Sequence, residues 1–141
     1  MRILHKSAAV LAISAFLVSG SAFAQEFGAN LTGAEEVPPV DTAATGTADV
    51  TWNADSKELS WTIEFSGLSG PATAAHFHGP AAPGENAGPV VTIEDLESPS
   101  EGTATLTDEQ AEQLAGGQWY LNIHTAANPD VEIRGQVTER M

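Results

Sequence analysis

The stretch Thr45-Gly46-Thr47-Ala48-Asp49-Val50-Thr51-Trp52-Asn53-Ala54-Asp55-Ser56-Lys57-Glu58-Leu59-Ser60-Trp61-Thr62-Ile63-Glu64-Phe65-Ser66 decides the fold. In its first half Ala48, Val50 and Trp52 alternate with Thr47, Asp49 and Thr51. In its second half Leu59, Trp61, Ile63 and Phe65 alternate with Ser60, Thr62 and Glu64. A period of two gives an extended chain one apolar face and one polar face, the pattern of a half-buried strand. Asn53-Ala54-Asp55-Ser56 separates the halves with residues that favour turns. Residues 45–66 therefore read as a β-hairpin.

Outward from the hairpin the same alternation recurs. Val131, Ile133 and Val137 interleave with Glu132, Arg134 and Gln136, and further strands are expected at 28–33, 72–78, 89–94, 102–106 and 118–125. One helix is expected. Thr107-Asp108-Glu109-Gln110 is a capping-box pattern with acids at the positive end of the helix dipole, and Gly116-Gly117 ends it after about two turns. The Pro- and Gly-rich segment from Gly79 to Pro89 reads as a long loop, either functional or a crossover between two sheets. Gly46-Thr47-Ala48-Asp49-Val50 and Gly102-Thr103-Ala104-Thr105-Leu106 echo each other and could open equivalent strands. The expected fold is all-β: an antiparallel Greek-key β-sandwich or barrel with one short connecting helix.

The N-terminus reads as a signal peptide. Arg2 and Lys6 precede the apolar run Ala8–Val18, and Ala22-Phe23-Ala24 supplies small residues at a cleavage site. The run is short for a membrane span. Residues 1–24 are the expected signal and 25–141 the expected mature domain, secreted or periplasmic and free of the membrane once cut. Of the five lysines and arginines, Arg2 and Lys6 leave with the signal while all 19 acids stay. Lys57, Arg134 and Arg140 then face 19 acids, a net charge of −16. Such a chain repels nucleic acid and anionic lipid. There is no cysteine, so the fold has no disulfide to lean on although export would permit one.

Three histidines follow the signal: His76, His78 and His124. His76 and His78 form His-x-His in a strand-like run, so they share a face opposite Phe77. His124 ends Trp119-Tyr120-Leu121-Asn122-Ile123-His124, where Trp119, Leu121 and Ile123 make the apolar face. If both apolar faces look inward and the strands are neighbours, the three imidazoles meet on the outer face and can share an ion. Imidazole suits copper, with zinc second, better than calcium or magnesium. Three ligands leave a coordination position open. Without a cysteine a blue-copper site is excluded. Arg134 falls on the outward face by parity and could either guide an anion to the metal or pair with a surface carboxylate. Asn30-Leu31-Thr32 fits a glycosylation acceptor. Glu35 and Glu36 point apart in an extended chain and do not suggest a paired-carboxylate site.

The chain also resembles the CHRD domain, the module repeated in chordin and found singly in many secreted bacterial proteins. The resemblance runs over about residues 28–138. It is carried by Leu31-Thr32-Gly33 with Glu36-Val37-Pro38-Pro39, by Ala74-Ala75-His76-Phe77-His78-Gly79-Pro80, and by Tyr120-Leu121-Asn122-Ile123-His124-Thr125 followed by Glu132-Ile133-Arg134-Gly135-Gln136-Val137. Val131 departs from it, standing where the family often has glycine. The resemblance implies a β-sandwich with histidines at the positions of His76, His78 and His124. The arrangement is also similar in kind to copper-zinc superoxide dismutases, although the further histidines of a bridged zinc site and the disulfide are missing here. Three readings follow: a copper-binding module; a copper enzyme of superoxide-dismutase type with Arg134 as anion guide; and a metal-free adhesion or ligand-binding module with a protein partner, as chordin implies.

Overall fold

The computed structural model describes residues 24–140, so the expected signal segment lies outside the described residues except for Ala24. Eight strands form one antiparallel sheet: β1 (Gln25–Thr32), β2 (Thr45–Asn53), β3 (Glu58–Ser66), β4 (Ala72–His78), β5 (Pro89–Thr92), β6 (Ser100–Thr105), β7 (Trp119–Thr125) and β8 (Ile133–Glu139). Their order is β5-β4-β7-β8-β1-β2-β3-β6, and the sheet curls into a nearly closed barrel with its seam between β5 and β6. Read across that seam, β4, β5 and β6 follow one another and β3 lies beside β6, the Greek-key arrangement.

The hairpin of residues 45–66 forms as β2 and β3, in register from Thr45 opposite Ser66 to Asn53 opposite Glu58. Asn53 starts the turn by accepting backbone hydrogen bonds from Asp55 and Ser56 on its Oδ1. The two echoing segments open strands β2 and β6, which flank β3. The helix α1 (Asp108–Ala115) has the expected reciprocal cap between Thr107 and Gln110, and buries Leu114. A 3-10 turn at Gly33–Glu35 was not expected from the sequence.

The inward positions fill one core. Phe27, Leu31, Val50, Leu59, Ile63, Phe77, Trp119, Leu121, Ile123, Ile133 and Val137 are all buried. Trp61 from β3 meets Phe77 from β4 edge-on with ring centroids 5.3 Å apart, so the core closes across the barrel. At Gly135 two backbones approach closely: a Cβ there would stand 2.3 Å from the carbonyl oxygen of Asn30 on β1. Each large buried side chain stabilises the fold by roughly 1.5–3 kcal/mol, and none of these contacts passes through the histidines. The protein treated with chelator is expected to keep its β circular dichroism and a cooperative melt; loss of both would make the histidine cluster a structural centre.

Two expectations need correcting. The segment 79–88 is not a crossover between sheets, because β4 and β5 are hydrogen-bonded neighbours and the segment is their hairpin loop. The last strand starts at Ile133 and not at Val131. Val131 and Glu132 precede its ladder, so the alternation does not govern them.

Candidate metal centre

Strands β4 and β7 are neighbours, with Ala74 opposite His124, His76 opposite Asn122 and His78 opposite Tyr120. His124 therefore sits diagonally from His76 on the face away from Phe77 and Ile123. The ligand atoms of His76, His78 and His124 lie within 4.8 Å of one another. The His76 ring stands nearly perpendicular to both others, with centroids 5.6 Å from His78 and 5.5 Å from His124. Each ring is half-buried. Metal–imidazole bonds of about 2.0–2.1 Å allow nitrogen separations of up to roughly 4.2 Å, so only a small inward movement closes the set.

Hydrogen bonds fix which nitrogens are free. His78 Nδ1 lies 2.8 Å from the Ala87 carbonyl and His124 Nδ1 lies 2.9 Å from the Pro129 carbonyl. A carbonyl only accepts, so both Nδ1 atoms carry the proton and the neutral rings keep their lone pairs on Nε2. His124 Nε2 is buried without a partner, as is His76 Nδ1. Asn122 Oδ1 is placed 3.1 Å from His78 Nε2. Only the protonated ring would donate to that oxygen, so in the neutral ring the Nε2 lone pair has no donor on it. Burial lowers the pKa of His76, with the neighbouring charges of His124 and His78 acting in the same direction. Burial also lowers that of His78, against the raising effect of its bonds to Ala87 and Asn122. Both rings are thus neutral at pH 7, the state that binds a metal. Backbone carbonyls orienting imidazoles through Nδ1–H are a common support of metal-binding histidines. The cluster is able to chelate a metal ion.

The outer face is roofed here, which the alternation alone did not reveal. Arg134 and Tyr120 share the histidines' face, yet Arg134 is only 2 % exposed. Its guanidinium lies over the Tyr120 ring, 3.6 Å from the centroid, and donates to Asn86 Oδ1 at 2.9 Å and to the Glu85 carbonyl at 2.6 Å. Tyr120 stacks on His78 with centroids 4.8 Å apart and exchanges two hydrogen bonds with the Ala87 backbone. Gln136 ties the same loop through the Ala81 carbonyl. Arg134 is therefore a clamp on the 79–88 loop, and the expected surface ion pair is absent: the two ion pairs among the described residues are Lys57–Asp108 and Arg140–Asp49.

Beside the histidines lies a cleft of about 520 Å³ with His78, His124, Asn122 and Glu36 in its wall. Glu36 was not expected in the site. It is 7 % exposed, and burial pushes its pKa up to about 7 against the lowering field of Arg134. Glu132 was expected outside and is wholly buried. Burial alone would raise its pKa, but hydrogen bonds from Thr125, Thr42, Asn128 and Ser69 hold it down to about 2.

The histidine runs, the Glu36 turn and the Arg134 strand coincide with a family pattern: the model of the CHRD domain matches residues 27–137. The chain belongs to the CHRD domain family. No match is found among curated proteins or among solved structures. In this CHRD domain the three histidines come from β4 and β7 alone, while Glu36 and the 79–88 loop come from connections.

Proposed function

We propose that this protein is an exported metal-binding module holding one copper ion between His76, His78 and His124, with a position left open toward the cleft. The observation that carries the reading is the three ligand atoms within 4.8 Å, together with the two Nδ1–H groups donated to the Ala87 and Pro129 carbonyls. Nitrogen-only donors favour copper(II) over zinc by the usual divalent order. Export rests on the basic, apolar and small-residue order of residues 1–24.

Titration of the metal-free protein at pH 7.5 is expected to show one equivalent of copper(II) bound, more tightly than zinc, with calcium and magnesium not competing. Binding should weaken as pH falls below about 6, since a protonated imidazole cannot ligate. Failure to bind one equivalent tightly would favour the metal-free adhesion reading. Superoxide turnover by the copper-loaded protein would favour the enzyme reading. The commitment of the Arg134 fork to Asn86 and Glu85 argues against its serving as an anion guide.

A further inference from the structure

Glu36 carries a cost that the metal reading does not explain. Its backbone N–H closes the 3-10 turn on the Gly33 carbonyl, and its side chain is 7 % exposed. Oε1 is sealed from solvent without a partner, and no hydrogen bond to the carboxyl supports its charge among the described residues. Neither ion pair among those residues involves it. A buried carboxyl without partners is ordinarily selected against. This one stands in the wall of the cleft, next to the apolar surface of Val37, Pro38 and Val40 and with Pro129 also in the lining. A cleft of about 520 Å³ falls in the range that takes small organic molecules.

We propose that the cleft binds a small uncharged molecule bearing a hydroxyl group, which hydrogen-bonds the Glu36 carboxyl at Oε2, the oxygen that is not sealed, while its apolar body lies against Val37, Pro38, Val40 and Pro129. An anion is disfavoured by the carboxyl itself and by the acidic chain, and the nearby Arg134 has spent its fork on the loop. A cation is disfavoured by the field of that same guanidinium. A hydroxyl is the group that serves a carboxyl in either protonation state, because it donates to the carboxylate and accepts from the acid. That versatility matters where the pKa is near 7. The inference needs no metal, although a bound molecule would lie beside His78 and His124.

The test uses phenol, anisole and benzoate as probes on the metal-free chain, followed by amide shifts in nuclear magnetic resonance. Phenol is expected to shift the cleft residues saturably, with a dissociation constant on the order of a millimolar. Anisole, which lacks the donor, and benzoate, which is charged, should bind about tenfold more weakly. Glu36→Leu should erase the preference for phenol over anisole and raise the melting temperature at pH 8 by about 3 °C. A structural carboxyl would behave oppositely: Glu36→Leu would melt lower and bind phenol as the wild type does, which overturns the proposal. Equal binding of phenol and anisole by the wild type overturns it as well, whether or not the variant folds. Failure of copper to bind the wild type would sink the metal reading and leave this comparison intact.

Discussion

Alanine at His124 is expected to weaken copper(II) binding at pH 7.5 by on the order of 100-fold or more. In the proposed site His124 is one of three ligands, its Nε2 has no hydrogen-bond partner, and its Nδ1 faces the Pro129 carbonyl. Among the described residues there is no fourth histidine to replace it. His76→Ala and His78→Ala should cost as much, and the double variants should add little, because two imidazoles no longer make the site. Isothermal titration of the wild type and the three single variants measures this. If His124→Ala binds as the wild type does, no three-histidine site exists; if all four bind alike, the acidic surface is collecting copper loosely.

Glu132→Ala should cost stability on the order of 3–5 kcal/mol, because several donors lose a charged acceptor at once. Its Oε1 takes the Thr125 hydroxyl at 2.8 Å and the Asn128 amide at 3.1 Å, its Oε2 takes the Thr42 hydroxyl at 2.9 Å, and the Ser69 N–H reaches both oxygens. These partners come from the segment before β2, the β3–β4 connection, the last residue of β7 and the β7–β8 connection, so one carboxylate fastens three connections and a strand end. Every partner is used as a donor. Glu132→Gln loses the charge and turns an NH2 toward one side of this set, where only a hydroxyl can rotate to accept it, so it should destabilise, by less than alanine. The folded pKa, about 2, lies below the usual carboxylate value of 4.5. The stabilisation is thus fully present above pH 4.5 and is lost as pH falls from there toward 2. Urea midpoints at pH 7, 4 and 3 should fall steeply for the wild type, and the glutamine variant should be flatter over that window. A Glu132→Gln protein as stable as the wild type at pH 7 would refute the account.

The strands were legible because Leu59, Trp61 and Ile63 declare a period of two, and the helix because Thr107 and Gln110 declare a cap. The shared face of His76 and His78 follows from the same parity. What parity cannot supply is which strands meet. The pairing of β4 with β7 depends on where the chain turns back through the 79–118 region, and only the fold shows that Ala74 lies opposite His124. Arg134 illustrates a second limit. Its face was read correctly, but its burial depends on a roof built from a segment without periodicity. Glu132 escaped because it stands before the ladder of β8. Glu36 escaped because a single acid among prolines carries no pattern, and because an extended reading of Glu35 and Glu36 misses the 3-10 turn at Gly33–Glu35.

The roof over Arg134 belongs to a hairpin between adjacent strands. Insertions and deletions there need not rethread the barrel, and loops of this kind accept length changes that strands do not. The eight strands can thus act as a fixed chassis, while this segment shares the lining of the cleft with the connections at 36–40 and 127–131. A longer β4–β5 loop grafted onto this scaffold would leave the strands in place, but it must retain the Ala87 carbonyl that holds the His78 ring.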